Sequence, residues 1–136
     1  MKKKVNIKNK KYRKKPFKKI KHKPQGIIHV IKTETNTIST LTDLKGNTKL
    51  WISAGTIGIK GSRKSTVYAS EAVARKIAQR TIEFGYRNIL IKVKGVGFGK
   101  TRAIKTIKKE GLRITHIYEC TPTPHNGCTR PRKQRK

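Results

Sequence analysis

Along this 136-residue chain the apolar positions fall into two periods, and each change of period marks an element. Gly26 opens Ile27-Ile28-His29-Val30-Ile31, a short β-branched run, and Thr37-Ile38-Ser39-Thr40-Leu41-Thr42 alternates after it; both have the pattern of strands. Asp43-Leu44-Lys45-Gly46-Asn47 is turn chemistry, in which Gly46 is free to take a positive φ, and Thr48 to Ser53 around Trp51 returns as a third strand. Connections this short predict an antiparallel meander.

Beyond Gly55, Gly58 and Gly61 the period lengthens. Val73, Ile77, Thr81 and Phe84 recur at helical spacing with Ala74 and Ala78 beside them, which predicts one apolar face on a helix from about Tyr68 to Phe84, stopped by Gly85. Asn88 to Val93 is a near-continuous apolar run, as buried parallel strands are. A second helix is expected from Thr101 to about Glu110, with Ala103, Ile104 and Ile107 inward and Gly111 at its end, and Leu112 to Tyr118 alternates as a last strand. The order β-β-β-α-β-α-β predicts an α/β fold: a five-stranded mixed sheet, two right-handed parallel crossovers, and helices packed on its faces. Residues 25–120 suffice for one modest core.

Charge separates this domain from its two ends. The 36 Lys and Arg against 6 Asp and Glu give a formal net charge of +30. Twelve Lys and Arg13 fall within residues 1–24, which hold no acid and only scattered apolar residues, so this segment is expected to be a disordered nucleic-acid-binding arm. Residues 121–136 form a basic tail ending in Arg130, Arg132, Lys133, Arg135 and Lys136, and all six acids lie between the two ends. Such a charge disfavours a compact state until something anionic compensates it. No apolar run approaches the roughly 18 residues of a membrane span, and two cysteines are too few for a disulfide scaffold. One Arg and no Ser in the arm argue against a mitochondrial presequence, and Pro16 and Pro24 interrupt any membrane-surface helix.

Two loops carry candidate chemistry. Lys94-Gly95-Val96-Gly97-Phe98-Gly99-Lys100-Thr101 lies between a strand and a helix, where a phosphate loop belongs, yet it fails the P-loop spacing because position 94 is Lys. It also fails the dinucleotide pattern, since position 100 is Lys where a third Gly is needed. What remains is a set of backbone N–H groups at a helix N-terminus, flanked by Lys94, Lys100 and Arg102, which suits a nucleic-acid phosphate better than a soluble nucleotide. Lys60-Gly61-Ser62-Arg63-Lys64-Ser65-Thr66 is a second such stretch, with three cations among small hydroxyls.

Other chemistries find little support. Cys120, His125 and Cys128, with His116 nearby, lack the paired short knuckles of a zinc site, so Cys120 reads as a small core residue and Cys128 as a free thiol. A mixed sheet of this order also carries metal-dependent ribonucleases, which need clustered carboxylates. Here Asp43 sits in a turn, and Glu34, Glu71, Glu83, Glu110 and Glu119 are dispersed. No catalysis, metal, cofactor, membrane or small-molecule substrate is expected. A basic zinc or P-loop-like nucleic-acid-binding module is the alternative reading.

Joined in order, these segments resemble a known family. Asn36-Thr37-Ile38, Trp51-Ile52-Ser53-Ala54-Gly55, Lys60 through Ala69, the loop Lys94 to Lys100, and Thr121-Pro122-Thr123-Pro124-His125-Asn126-Gly127-Cys128 are similar to the universal ribosomal protein eleven of the small subunit, from about Gly26 to the C-terminus. The resemblance implies a ribonuclease-H-like fold without its catalytic acids. It also implies binding to rRNA on the small-subunit platform, near the exit site and the messenger exit, beside other platform proteins. The RNA-facing residues it implies are Asn36, Thr37, Trp51, Ser53, the loop from Lys60 and Ser62 to Thr66, and Lys94, Gly95, Gly97, Gly99, Lys100 and Arg102. In the tail they are Pro124, His125, Asn126, Gly127, Cys128, Arg130, Arg132 and Lys133. Thr35, Ile52, Val96, Phe98 and Thr129 depart from the family pattern. Asn126-Gly127 is prone to succinimide formation, and the resemblance suggests an isoaspartate there.

Composition also bears on origin. Lys (26) and Ile (17) far outnumber Arg (10), a bias expected of AT-rich coding DNA. The Gly-Phe-Gly-Lys and Thr-Pro-Thr-Pro strings look more like mitochondrial than plastid relatives, with a plastid or a bacterial cytoplasm as alternatives.

Overall fold

The computed structural model describes residues 23–97 and 99–129. The expected arm up to residue 22, Phe98, Arg130, Arg132 and Lys133 lie outside the described residues. Within them the chain runs β1 (Gly26–Lys32), β2 (Thr37–Asp43), β3 (Thr48–Ser53), a 3-10 turn (Gly61–Ser65), α1 (Val67–Glu83), β4 (Asn88–Gly95), α2 (Gly99–Lys109) and β5 (Arg113–Glu119). The five strands form one mixed sheet in the order β3-β2-β1-β4-β5. β1 pairs antiparallel with β2 and parallel with β4, and β5 pairs parallel with β4. This is the expected ribonuclease-H-like arrangement. No helix among the described residues is long and apolar enough to cross a membrane.

The helices, however, share one face of the sheet. Both crossovers, β3 to β4 through α1 and β4 to β5 through α2, step across the sheet in the same direction. A common handedness then places both helices on the same side, where α1 lies along α2. The expectation of helices on both faces is corrected accordingly. Strand side chains on the covered side, Ile28, Val30, Leu41, Ile89, Ile91 and Val93, are buried against Val73, Ile77, Ala103 and Ile107. Each fully buried Ile contributes about 2–3 kcal/mol. Alanines at 69, 74, 78 and 103, all fully buried, let the helices approach closely. Thr37 and Ser70 add a buried hydroxyl pair, Oγ1 to Oγ 2.8 Å, between β2 and α1.

Three further expectations are revised by the packing. Phe84 is exposed, because α1 stops at Glu83 and Gly85, at φ +84°, turns the chain before the ring can rejoin the apolar stripe. Cys120 is exposed too, lying just past the end of β5. The alternation in β5 breaks at a bulge: Ile89 pairs with Ile114 and Leu90 with His116, so Thr115 is the extra residue. Its hydroxyl donates to the Ile89 carbonyl, and beyond it Ile117 and Tyr118 are both exposed.

The loop after β4 is set by close approach. Gly95 has φ +112°, and a Cβ there would lie 1.8 Å from the Lys32 carbonyl oxygen of β1. Gly99 starts α2 so near α1 that a Cβ would lie 2.5 Å from Ser70 Oγ. Gly97 also has positive φ, +113°, but faces open space. Replacing Gly95 by Ala should therefore cost about 3 kcal/mol or more through backbone displacement. Gly97→Ala should cost about 1–2 kcal/mol of conformational strain alone. Equal losses for the two variants in urea denaturation would show that conformation, and not the approach to β1, governs this loop.

On the uncovered face, His29 lies 3.3 Å from Thr42 Oγ1 and beside Lys92 of β4. Partial burial, and then the Lys92 charge, hold its pKa below the ordinary 6.5. The fold thus prefers the neutral ring. Stability is full above about pH 6.5 and is lost as the pH falls through that value, where the unfolded chain takes up the proton first. Urea midpoints should decline on acidification below about pH 6.5, and His29→Gln should flatten that decline; an equally steep acid limb in H29Q would assign it elsewhere.

Candidate nucleic-acid interface

Strand direction decides where the loops go. β3, β1, β4 and β5 all point the same way, with β2 alone reversed, so their carboxyl ends share one end of the sheet. Open α/β sheets place their ligand-binding loops at this end. It collects the β1–β2 connection at 33–36, the segment 54–66 after β3, the loop after β4 and the tail from Cys120. Glu34 and Thr35 share a hollow with Gly61, Ser62, Lys64 and Ser65, so the hairpin tip and the 3-10 turn form one surface.

Within the 60–66 loop the hydroxyls build the backbone and the cations project. Ser65 Oγ donates to the Ser62 carbonyl at 2.7 Å, and Thr66 Oγ1 donates to the Arg63 carbonyl at 2.7 Å. Thr66 Oγ1 also accepts from Ala69 N, which makes it the N-cap of α1. Lys60, Arg63 and Lys64 form no ion pair among the described residues. The 3-10 turn itself was not legible in the sequence, although its S-R-K-S-T string was.

The hairpin tip divides differently. Asn36 Oδ1 accepts from Thr37 N at 2.8 Å and squares off the start of β2. Thr37 is fully buried against Ser70, which removes it from the RNA-facing set; its side chain is core. Ser53 Oγ accepts from Thr56 N, bending the chain out of β3. Trp51 stays 58% exposed. The strand around it borders a groove with Phe84, Lys76 and Arg80 on the α1 side, of which the sequence pattern had placed only Phe84, on the apolar stripe. Tyr68, 73% exposed beside Lys60 and Arg63, was missed as well. Its signal was an aromatic in the first helical turn that fits no apolar stripe.

The Gly-rich loop is tied inward more than expected. Lys100 Nζ donates to the Gly95 carbonyl at 3.0 Å and to Glu119 Oε2 at 2.9 Å, and Arg102 lies 3.8 Å from Glu71. Gly95 N donates to Thr121 Oγ1 at 2.9 Å, and the Thr121 hydroxyl donates to Glu119. Those bonds, first Thr121 and then Lys100, hold Glu119 below the usual carboxylate range. Gly95 and Gly99 are therefore occupied by packing and Lys100 by a carboxylate the sequence could not pair with it, whereas Arg102 stays largely exposed beside Glu71. Lys94 and Gly97 remain outward.

Past this latch, Pro124 to Thr129 are exposed. Asn126 takes the left-handed conformation, φ +52°, and a Cβ on Gly127 would lie 3.3 Å from Pro124 Cβ, so the turn is tight. Cys120 and Cys128 are free thiols, and no three His, Cys, Asp or Glu side chains among the described residues come together as metal ligands. Five of the six carboxylates sit in ion pairs instead: Asp43 with Lys49, Glu110 with Arg75, Glu83 with Arg80, Glu119 with Lys100 and Glu71 with Arg102.

Comparison with known proteins agrees with this arrangement. The family model described as ribosomal protein S11 matches residues 26–135. The small ribosomal subunit protein uS11m of Prototheca wickerhamii is 52% identical over 113 residues, 83% of this chain and 88% of the relative. Protein uS11 of Kosmotoga olearia is 49% identical over 112 residues, 82% of this chain and 85% of the relative. The uS11m of Marchantia polymorpha is 50% identical over 100 residues, 74% of this chain and 80% of the relative. The mixed sheet, the two loops at its carboxyl end and the Pro-His-Asn-Gly-Cys tail are thus those of a member of the ribosomal protein S11 family, structural proteins of the small ribosomal subunit.

Proposed function

We propose that this protein is a structural constituent of a mitochondrial small ribosomal subunit. It binds rRNA on the platform, near the exit site and the messenger exit, adjoins neighbouring platform proteins, and supports assembly and translation. The observation that carries this reading is the convergence of Lys60, Arg63, Lys64 and Lys94 on one end of the sheet, none of them in an ion pair among the described residues. Affinity comes from phosphate neutralisation by these cations and by the basic segments at 1–24 and 121–136, and Trp51, Ser53, Asn36 and the exposed tail add shape and ribose or base contacts. The uS11m relatives from Prototheca and Marchantia support the mitochondrial placement, and the bacterial uS11 matches keep plastid and bacterial ribosomes as its rivals.

The role is binding without catalysis. Carboxylates spread through five separate ion pairs do not supply the cluster that two-metal phosphodiester chemistry needs. Family membership replaces the alternative of a zinc or P-loop-like module outside the ribosome.

With about eight phosphates neutralised, log affinity for platform rRNA should fall against log salt with a slope near −6 to −7. Replacing Lys60, Arg63 and Lys64 together by Ala should shorten that slope by about three, while Lys100→Ala should leave it unchanged and loosen the tail. A slope near zero for the full chain would end the proposal. At Asn126, attack of the Gly127 nitrogen on the side-chain amide, with loss of ammonia, gives the succinimide, and water opening the ring at the Asn126 main-chain carbonyl gives isoaspartate. Peptide mapping of assembled subunits should then find isoaspartate at 126, and ordinary Asn alone would remove that modification.

A further inference from the structure

The face of the sheet turned away from both helices has no partner within the described fold. Register puts Trp51, Thr40, His29, Lys92 and Tyr118 in one row across all five strands. Flanking rows place Ile38 beside Ile31, and Ile27 beside Leu90, at the centre of the face. The cations of these rows, Lys92 and Lys94, both lie on β4, and no Asp or Glu falls in the rows. The face is therefore aliphatic in the middle, aromatic at its two margins and positive along one strand.

That distribution differs from the RNA-facing loops. Sheets that read single-stranded RNA put aromatic rings on their central strands, where bases stack. Here the rings of Trp51 and Tyr118 sit on the edge strands, and the centre offers methyl groups that a phosphate backbone cannot desolvate. An apolar sheet face accepts a helix whose one stripe is apolar, and cations at its border select an acidic flank.

We propose that this open face docks an amphipathic helix of a neighbouring small-subunit protein, apolar along the contact line and carrying Asp or Glu on the flank that meets Lys92. The inference rests on the ribosomal placement above but uses the opposite chemistry from the RNA-binding end. Lys92 supplies charge selectivity, the four aliphatic side chains supply the buried area, and Tyr118, 49% exposed at the margin, borders the docked helix.

The test uses the full chain in assembled small subunits, with Tyr118 replaced by p-benzoylphenylalanine and irradiated. The expected adduct is to a protein, survives ribonuclease, and maps to a peptide in which apolar and acidic residues alternate at helical spacing. Lys92→Glu in the same chain should lower its yield about tenfold, while Lys92→Arg should preserve it. An adduct destroyed by ribonuclease, or none at all, overturns the docking surface. The same photoprobe in place of Tyr68 reports on the loop end. A ribonuclease-sensitive adduct there with no protein adduct at Tyr118 rejects the docking face and leaves rRNA binding standing, whereas no RNA adduct at Tyr68 rejects the rRNA reading itself.

Discussion

Parallel pairing of β1 with β4 brings together segments more than sixty residues apart in sequence, from Gly26 beside Ile89 to Lys32 beside Gly95. It joins an N-terminal meander that is local to a C-terminal half that cannot form a sheet alone. The inward side chains at this seam are covered only once the pair exists, because α2 lies over both β1 and β4. The pair also sets the position of the Gly-rich loop, since Gly95 lies against the Lys32 carbonyl with no room for a side chain. A contact this distant in sequence carries a loop-closure cost before it is rewarded. The short β1–β2 and β2–β3 connections lower that cost by presenting a ready edge for β4.

Electrostatics is divided along the same lines. The acids are few, and the structure uses them as internal fasteners: Glu71 and Glu110 reach from α1 and the end of α2 to arginines of the opposite helix, and Glu119 ties the tail root to Lys100. Exposed pairs of this kind are worth little individually. Their effect is to leave Lys60, Arg63, Lys64 and Lys94 at the carboxyl end of the sheet without ion-pair partners among the described residues. The protein alone is thus electrostatically unfinished at one end, which is where the proposed function puts phosphate.

How much of this was legible depends on the kind of information required. Strand positions, the Gly46 turn and the helix stops at Gly85 and Gly111 follow from local pattern and backbone freedom, and they are where the pattern put them. The side of the sheet taken by the helices follows from crossover direction, which needs the strand order as well as the strands. Thr37 and Lys100 were misread for a related reason. A threonine at the start of a strand is core or surface according to whether Ser70 lies above it, and a lysine is free or latched according to a glutamate nineteen positions away. Neither partner is in the local window. Phe84 shows the reverse case, in which a periodic stripe continued one step past the residue that ended the helix.

The bulge at Thr115 matters most after the charge is gone. Free copies of so cationic a chain repel one another, and any anion that neutralises the charge removes that repulsion. β5 is an edge strand in that setting, and a straight edge would offer its unpaired backbone to the β3 or β5 edge of a neighbouring copy. Thr115 spends an extra residue there and turns its hydroxyl inward to Ile89. The register β5 offers to an incoming strand is thus broken at Thr115, and backbone geometry guards this edge independently of charge.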